Sequence, residues 1–123
     1  MEERIDFEVM VYSIHMGEKI LMVTTEQVAG REIAQVLGLV RGNTIHTRHV
    51  GSDIVASFRS LIGGEIKGYV KAFNTAREEA TLRMLSEAQA LGANAVIGMR
   101  YSTSQVAGGG AEVVAYGTAV KLR

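Results

Sequence analysis

One stretch constrains the fold more than any other: Gly63 to Gly98, GGEIKGYVKAFNTAREEATLRMLSEAQALGANAVIG. It opens on a double glycine and closes on LGANAVIG, and its spacing predicts a helix from about Glu65 to Leu91. Ile66, Tyr69, Val70, Phe73, Ala76, Ala80, Met84, Ala88 and Leu91 recur at helical intervals and form one apolar stripe. Gly92 is the expected C-cap, because a helix often ends in a left-handed residue that glycine adopts without strain. Such a helix is about 40 Å long at 1.5 Å per residue. A compact domain of this chain length is about 35 Å across, so the helix is expected to span the domain and overhang it. Leu82 and Leu85 fall off the main stripe and predict a second contact surface. Glu79 and Arg83 are spaced as an i,i+4 pair on the rim. Arg77 falls near the middle of the stripe, where a charge calls for a partner.

The flanking segments read as strands and one more helix. From Ile5 to Ile14 the chain starts in alternation, with Ile5, Phe7, Val9 and Val11 on one side and Asp6 and Glu8 on the other. A turn at Met16–Lys19 and the apolar run Ile20 to Val23 complete an expected hairpin. The competing reading is a flexible leader, with a true start at Met16 or Met22. Gly30 breaks the chain. The segment after it, REIAQVLGLVRGNTIHT, fits either a helix or a strand, and the cost of glycine inside a helix favours a strand. Ser52 as N-cap, with Ile54, Val55, Phe58, Leu61 and Ile62 on one face, predicts a short helix that ends at Gly63-Gly64. After the long helix, Asn94 to Val106 and Glu112 to Leu122 alternate as strands around the loop AGGGAE. The expected class is α+β: an antiparallel β-sheet with two helices, one short and one long, on one face, a β-rich N-terminal part and a βααββ core.

Composition narrows the function classes. The 123 residues suit one domain; 47% are apolar, so a core can be buried without staples. The absence of cysteine removes disulfides, thiolate metal sites and cysteine nucleophiles. Thirteen basic residues balance thirteen acidic ones with no basic cluster, which leaves no electrostatic footprint for nucleic acid or an anionic membrane surface. No apolar run approaches the length of a membrane span. The acidic start MEERIDFEV lacks a signal-peptide core, so the expected location is cytoplasmic.

At Gly63 the chain meets a recognisable pattern. The double glycine followed by Tyr69, Ala76-Arg77, LGANAVIG at 91–98 and YGTAV at 116–120 resembles the YbjQ-like family of small bacterial and archaeal proteins of unknown function. MVTTEQVAGREI at 22–33 is similar to the usual opening of such proteins. The resemblance covers residues 22–123 as one α+β domain and leaves 1–21 as an N-terminal extension. It implies a β-rich α+β fold, a ring-like homo-oligomer, often a pentamer, and a heavy-metal-binding label without an established activity. Glu65 departs from the arginine common after the double glycine. The resemblance carries over no catalytic residue.

Three groups of residues are candidates for chemistry. His46, His49 and Asp53 supply the residue types of a two-histidine, one-carboxylate site for a divalent metal. Gly51-Ser52 interrupts any continuous helix there, and the competing reading is two solvated loop histidines. Arg77 could fork onto an anionic ligand or a carboxylate at a protomer interface; the competing reading is a structural ion pair with Asp53, Glu65 or Glu112. Tyr69, Tyr101 and Tyr116 could line a pocket with Arg100, against ordinary packing. AGGGAE joins two strands and lacks the following lysine of a phosphate loop, and Ser52, Ser57 and Ser60 fit no nucleophile elbow. The expectation is a homo-oligomer without a catalytic site, with Arg77, Arg100, Tyr69, Tyr116 and Leu82 at a ligand or interface surface. The alternative is a metal- or small-ligand-binding module built on His46, His49 and Asp53.

Overall fold

A computed structural model describes residues 2–4, 10–13, 19–46, 66–106 and 110–123. The strands are β1 (Glu2–Arg4), β2 (Met10–Ser13), β3 (Lys19–Met22), β4 (Ile33–His46), β5 (Ala95–Val106) and β6 (Gly110–Leu122), and the helix is α1 (Ile66–Ala90). They form one sheet in the order β1-β2-β3-β5-β6-β4 with α1 against one face. The fold is α+β, as expected. The sheet is mixed rather than purely antiparallel, because β3 runs parallel to β5, with Leu21 opposite Ala95 and Met22 opposite Val96. The short helix expected over Ser52–Ile62 lies outside the described residues.

α1 matches the expected helix within a residue at each end. Its C-terminus is a Schellman turn: the Gly92 amide donates to Gln89 O at 2.9 Å and the Ala93 amide to Ala88 O at 3.1 Å. Gly92 sits at φ 84°, so the left-handed step falls on the residue that tolerates it. The closing contact between Ala88 and Ala93 belongs to the main core.

That core lies between α1 and the sheet. Ala76, Ala80, Met84 and Ala88 of the expected stripe are buried in it, facing Val40, Val96, Met99, Val113, Ala115 and Ala119. Two residues expected elsewhere join them. Leu85 is fully buried, and the partly buried Leu82 packs against the same cluster. The cause is the closeness of the helix to the sheet. Three alanines line α1, and Gly42 of β4 leaves its backbone no room for a side chain. A helix this low buries a band wide enough to take in Thr81 and Leu85 as well. Leu91, expected at the end of the stripe, is 45% exposed in the turn beyond the helix.

A second cluster, Val23, Ala95, Ile97, Val120 and Leu122, fills part of the opposite face, with Leu21, Val28 and Ile33 packed on it. The segment after β3 is pinned there. The Val23 amide donates to Val96 O at 3.0 Å, the Met99 amide to Val23 O at 3.1 Å and the Gly98 amide to Thr25 O at 2.8 Å. β5 accommodates these bonds through an irregularity between Ile97 and Arg100, where Gly98 takes φ 60°. The far end of β6 is closed by an ion pair from Arg123 to Glu32 at 3.1 Å.

Candidate functional site

β6 lies between β5 and β4, and its register fixes which side chains share the face away from α1. Tyr116 is opposite Arg100 on β5 and Arg41 on β4. Because directly opposed residues point to one face, Arg100, Tyr116 and Arg41 form a row across three strands. The neighbouring row is Ile97, Thr118 and Leu39. On the other side come Ser102, Val114 and Asn43, then Ser104, Glu112 and Ile45. The second cluster covers only the end of this face near Ile97 and Leu122. Beyond it large apolar side chains stand in solvent: Leu39 is 66% exposed, Val36 65%, Ile45 44% and Tyr116 39%. Three of these four belong to β4, the outermost strand on its side of the described sheet.

The polar groups of the site are mostly engaged in holding the scaffold. The Arg100 guanidinium donates from Nη1 to Thr24 O and Met99 O, each at 2.8 Å, and so clamps the pinned segment to β5. Asn43 Nδ2 donates to Glu112 Oε2 at 3.2 Å across β4 and β6. Arg83 Nη1 donates to Asn43 O at 2.5 Å, tying α1 to β4 where an Arg83–Glu79 pair was expected.

The expected pocket of Tyr69, Tyr101, Tyr116 and Arg100 does not come together on one face. Tyr101 follows Arg100 in β5 and points to the helix side, where its hydroxyl meets Thr81 Oγ1 at 2.7 Å. Thr81 already donates to Arg77 O at 2.7 Å, so the Tyr101 hydroxyl is the donor. Tyr116 and Arg100 do share a row. The side chain of Tyr69 lies outside the described residues. Arg77 is exposed, although Thr81 and Leu85 on the same helix face are buried, and its Nη2 donates to Asn74 Oδ1 one turn back. Its expected partner Glu112 is bonded to Asn43 instead, and Asp53 and Glu65 lie outside the described residues.

Of the expected metal ligands, the structure describes only the backbone of His46, the last residue of β4, opposite Ala111. His49 and Asp53 lie outside the described residues. Among the described residues no three histidine, aspartate or glutamate side chains gather as a metal-holding group. None of the described helices is long and apolar enough to cross a membrane.

Sequence reading missed Val36, Leu39, Arg41 and Ile45 as a surface. The signal was present: Leu39, Arg41, Asn43 and Ile45 occupy alternate positions of a strand whose other face carries Val40, Gly42 and Thr44. A mixed outer face of this kind reads as ordinary solvent exposure until the neighbouring strands are known.

The comparisons with known proteins agree with this architecture. A relative from Halorubrum lacusprofundi, named UPF0145 protein, is 54% identical over 99 residues, 80% of this chain and 95% of its own. A UPF0145 protein of Archaeoglobus fulgidus is 50% identical over 108 residues, 88% of this chain and 100% of its own. One from Thermotoga maritima is 53% identical over 102 residues, covering 83% and 96%. The fold is shared with a crystal structure of a protein of unknown function from Pediococcus pentosaceus, of the DUF74 family, at a TM-score of 0.57 and 19% identity, over 85% of this chain and 98% of that one. Residues 20–123 match the model of the YbjQ_1 family, described as "Putative heavy-metal-binding", and the chain belongs to that family.

Proposed function

We propose that this protein is a cytoplasmic homo-oligomer, a closed ring of five copies without a catalytic site, and that the uncovered face of β4 and β6 is its assembly surface. The observation that carries this reading is the exposure of Val36, Leu39, Ile45 and Tyr116 along one face. Fully burying an exposed valine, leucine or isoleucine side chain contributes about 1.5–3 kcal/mol, and three such side chains, each already partly covered, with Tyr116 on the same face give a second copy a reason to dock. Tyr116 and Arg41 in the same row are the residue types enriched at interface centres. The groups beside them are carbonyl-bound or paired with an amide, which is the work of a scaffold rather than of acid–base chemistry. Light scattering on the wild type and on Leu39→Glu tests the reading. Assembly by the first and its loss in the second support it; a wild-type monomer at micromolar concentration contradicts it.

The family description favours a second reading, a site for a divalent metal on His46, His49 and Asp53. His46 closes β4 and would present the first ligand at the end of a long strand. Metal analysis of protein purified without an affinity tag, followed by calorimetric titration with zinc, tests it. Absence of binding, or unchanged binding by His49→Ala, removes this reading.

A further inference from the structure

β5, β6 and β4 continue as a three-stranded ribbon beyond the end of β3. The last backbone bond from that side reaches Met99, whose amide donates to Val23 O. β5 runs on to Val106, in register with β6 back to Gly110. Tyr101, Ser102, Thr103, Ser104 and Gln105 are exposed in succession, so solvent reaches both faces of β5 there. Among the described residues, no strand pairs with its outer edge. On the far side of the ribbon β4 is the outermost described strand, and Leu39, Arg41, Asn43 and Ile45 are exposed along it.

The register fixes which backbone groups each edge presents. The amides of Leu21 and Val23 donate to Asn94 O and Val96 O, so the groups of Ala95 and Ile97 turn to β6. Ala95 lies opposite Val120 and Ile97 opposite Thr118. Even-numbered residues of β6 therefore turn to β5 and odd-numbered ones to β4. Arg100 opposite Tyr116 resumes this pairing after the irregularity. The N–H and C=O groups of Tyr101, Thr103 and Gln105 consequently point outward. On the other side, Val40, Gly42 and Thr44 lie opposite Gly117, Ala115 and Val113. Their groups are taken by β6, and those of Leu39, Arg41, Asn43 and Ile45 point outward. The bond from the Arg83 guanidinium to Asn43 O agrees with that direction.

Neither edge carries the usual protection. Native edges are often blunted by lysine or proline, and residues 39–45 and 101–105 contain neither. The register shifts of β4 lie before Gly38, so the stretch after it is regular. Both strands run antiparallel to β6 and hence in the same direction. A rotation about an axis along the ribbon brings the β4 edge of one copy against the β5 edge of the next, and repeats around a ring.

We propose that the copies join edge to edge: the outer edge of β4 in one copy pairs in parallel with the outer edge of β5, Tyr101 to Gln105, in the next. The partner of each edge is a strand of a second copy, held by backbone hydrogen bonds. This pairing rests on the ring assembly proposed above and adds which elements meet in it.

Two proline variants test the pairing. Thr103→Pro removes an outward amide of β5 and Arg41→Pro one of β4. Neither amide serves the pairing with β6, and proline is tolerated at such edge positions. Each variant alone is expected to sediment as a monomer, and an equal mixture as a dimer, because each supplies the edge that the other lacks. Either variant assembling as the wild type does, or a mixture of two folded variants that stays monomeric, overturns the proposal. Hydrogen exchange on the assembled wild type needs no variant. The outward amides of Thr103 and Arg41 are expected to exchange within about tenfold of the inward amides of Ser102 and Gly42, and faster exchange than that overturns the proposal. Leu39→Glu separates the two readings. An assembly that Leu39→Glu breaks and both prolines leave intact keeps the assembly surface and removes the edge pairing; a monomeric wild type removes both.

Discussion

The backbone of Gly42 in β4 lies directly against that of Ala80 in α1: a β-carbon on Gly42 would overlap the Ala80 carbonyl oxygen and the Met84 amide nitrogen. The obstacle is helix backbone, which cannot rotate aside as a side chain can. The depth at which α1 sits on the sheet is therefore set at this point. That depth explains the wide buried band that includes Leu85.

Gly42→Ala is expected to destabilise the protein by about 3 kcal/mol, the upper range for overpacking, and to lower Tm by about 10 °C. Gly92→Ala is the control. At φ 84° it has open space around the added carbon, so it carries only the conformational penalty of about 1 kcal/mol. Thermal unfolding of the two variants side by side checks the difference, and equal losses would remove the steric account.

Leu85→Ala empties a fully buried position in the main core. The expected loss is about 2–5 kcal/mol, seen as a lower denaturant midpoint with an unchanged oligomer mass at low denaturant. Leu82→Glu places a charge against the same cluster and is expected to lower protomer stability before it affects assembly. A stable Leu82→Glu protein that fails to assemble would place this residue at an interface instead.

Thr44 is buried on the helix side of β4, and its Oγ1 has no hydrogen-bond partner among the described residues. Thr44→Val keeps the β-branched shape that a strand favours and removes the unpaired hydroxyl. The expected outcome is a gain of about 1 kcal/mol and a Tm higher by about 4 °C. A loss of stability instead would show that the hydroxyl has a partner in solution.

Much of the fold was legible because its signals are local. Gly92 marked the end of α1, since a Schellman turn needs a left-handed residue just there. Gly38 and Gly42 tipped the segment after Gly30 towards a strand, and Ile33–His46 is one strand. The hairpin expected before Val23 is present as β2 paired antiparallel with β3. What failed was non-local. The parallel pairing of β3 with β5 joins segments separated by β4 and α1, and no spacing in either segment encodes that partner. Leu85 was misplaced because a helical stripe gives directions but not the depth of the contact, which Gly42 supplies from a distant strand. Arg77 shares its helix face with the buried Thr81 and Leu85 one and two turns later, yet it is exposed: a helical stripe gives direction but not how far along the helix the face is covered. The uncovered face could not be seen until β6 set Tyr116 between Arg100 and Arg41.

Sedimentation velocity at micromolar concentration, on wild type and Leu39→Glu, tests the five-copy ring and its β4–β6 surface together. The protomer mass is 13.3 kDa. The expected result is a single wild-type particle near five protomer masses and a Leu39→Glu protein that sediments as a folded monomer. A monomeric wild type, or a Leu39→Glu protein that assembles as the wild type does, would rule out this ring.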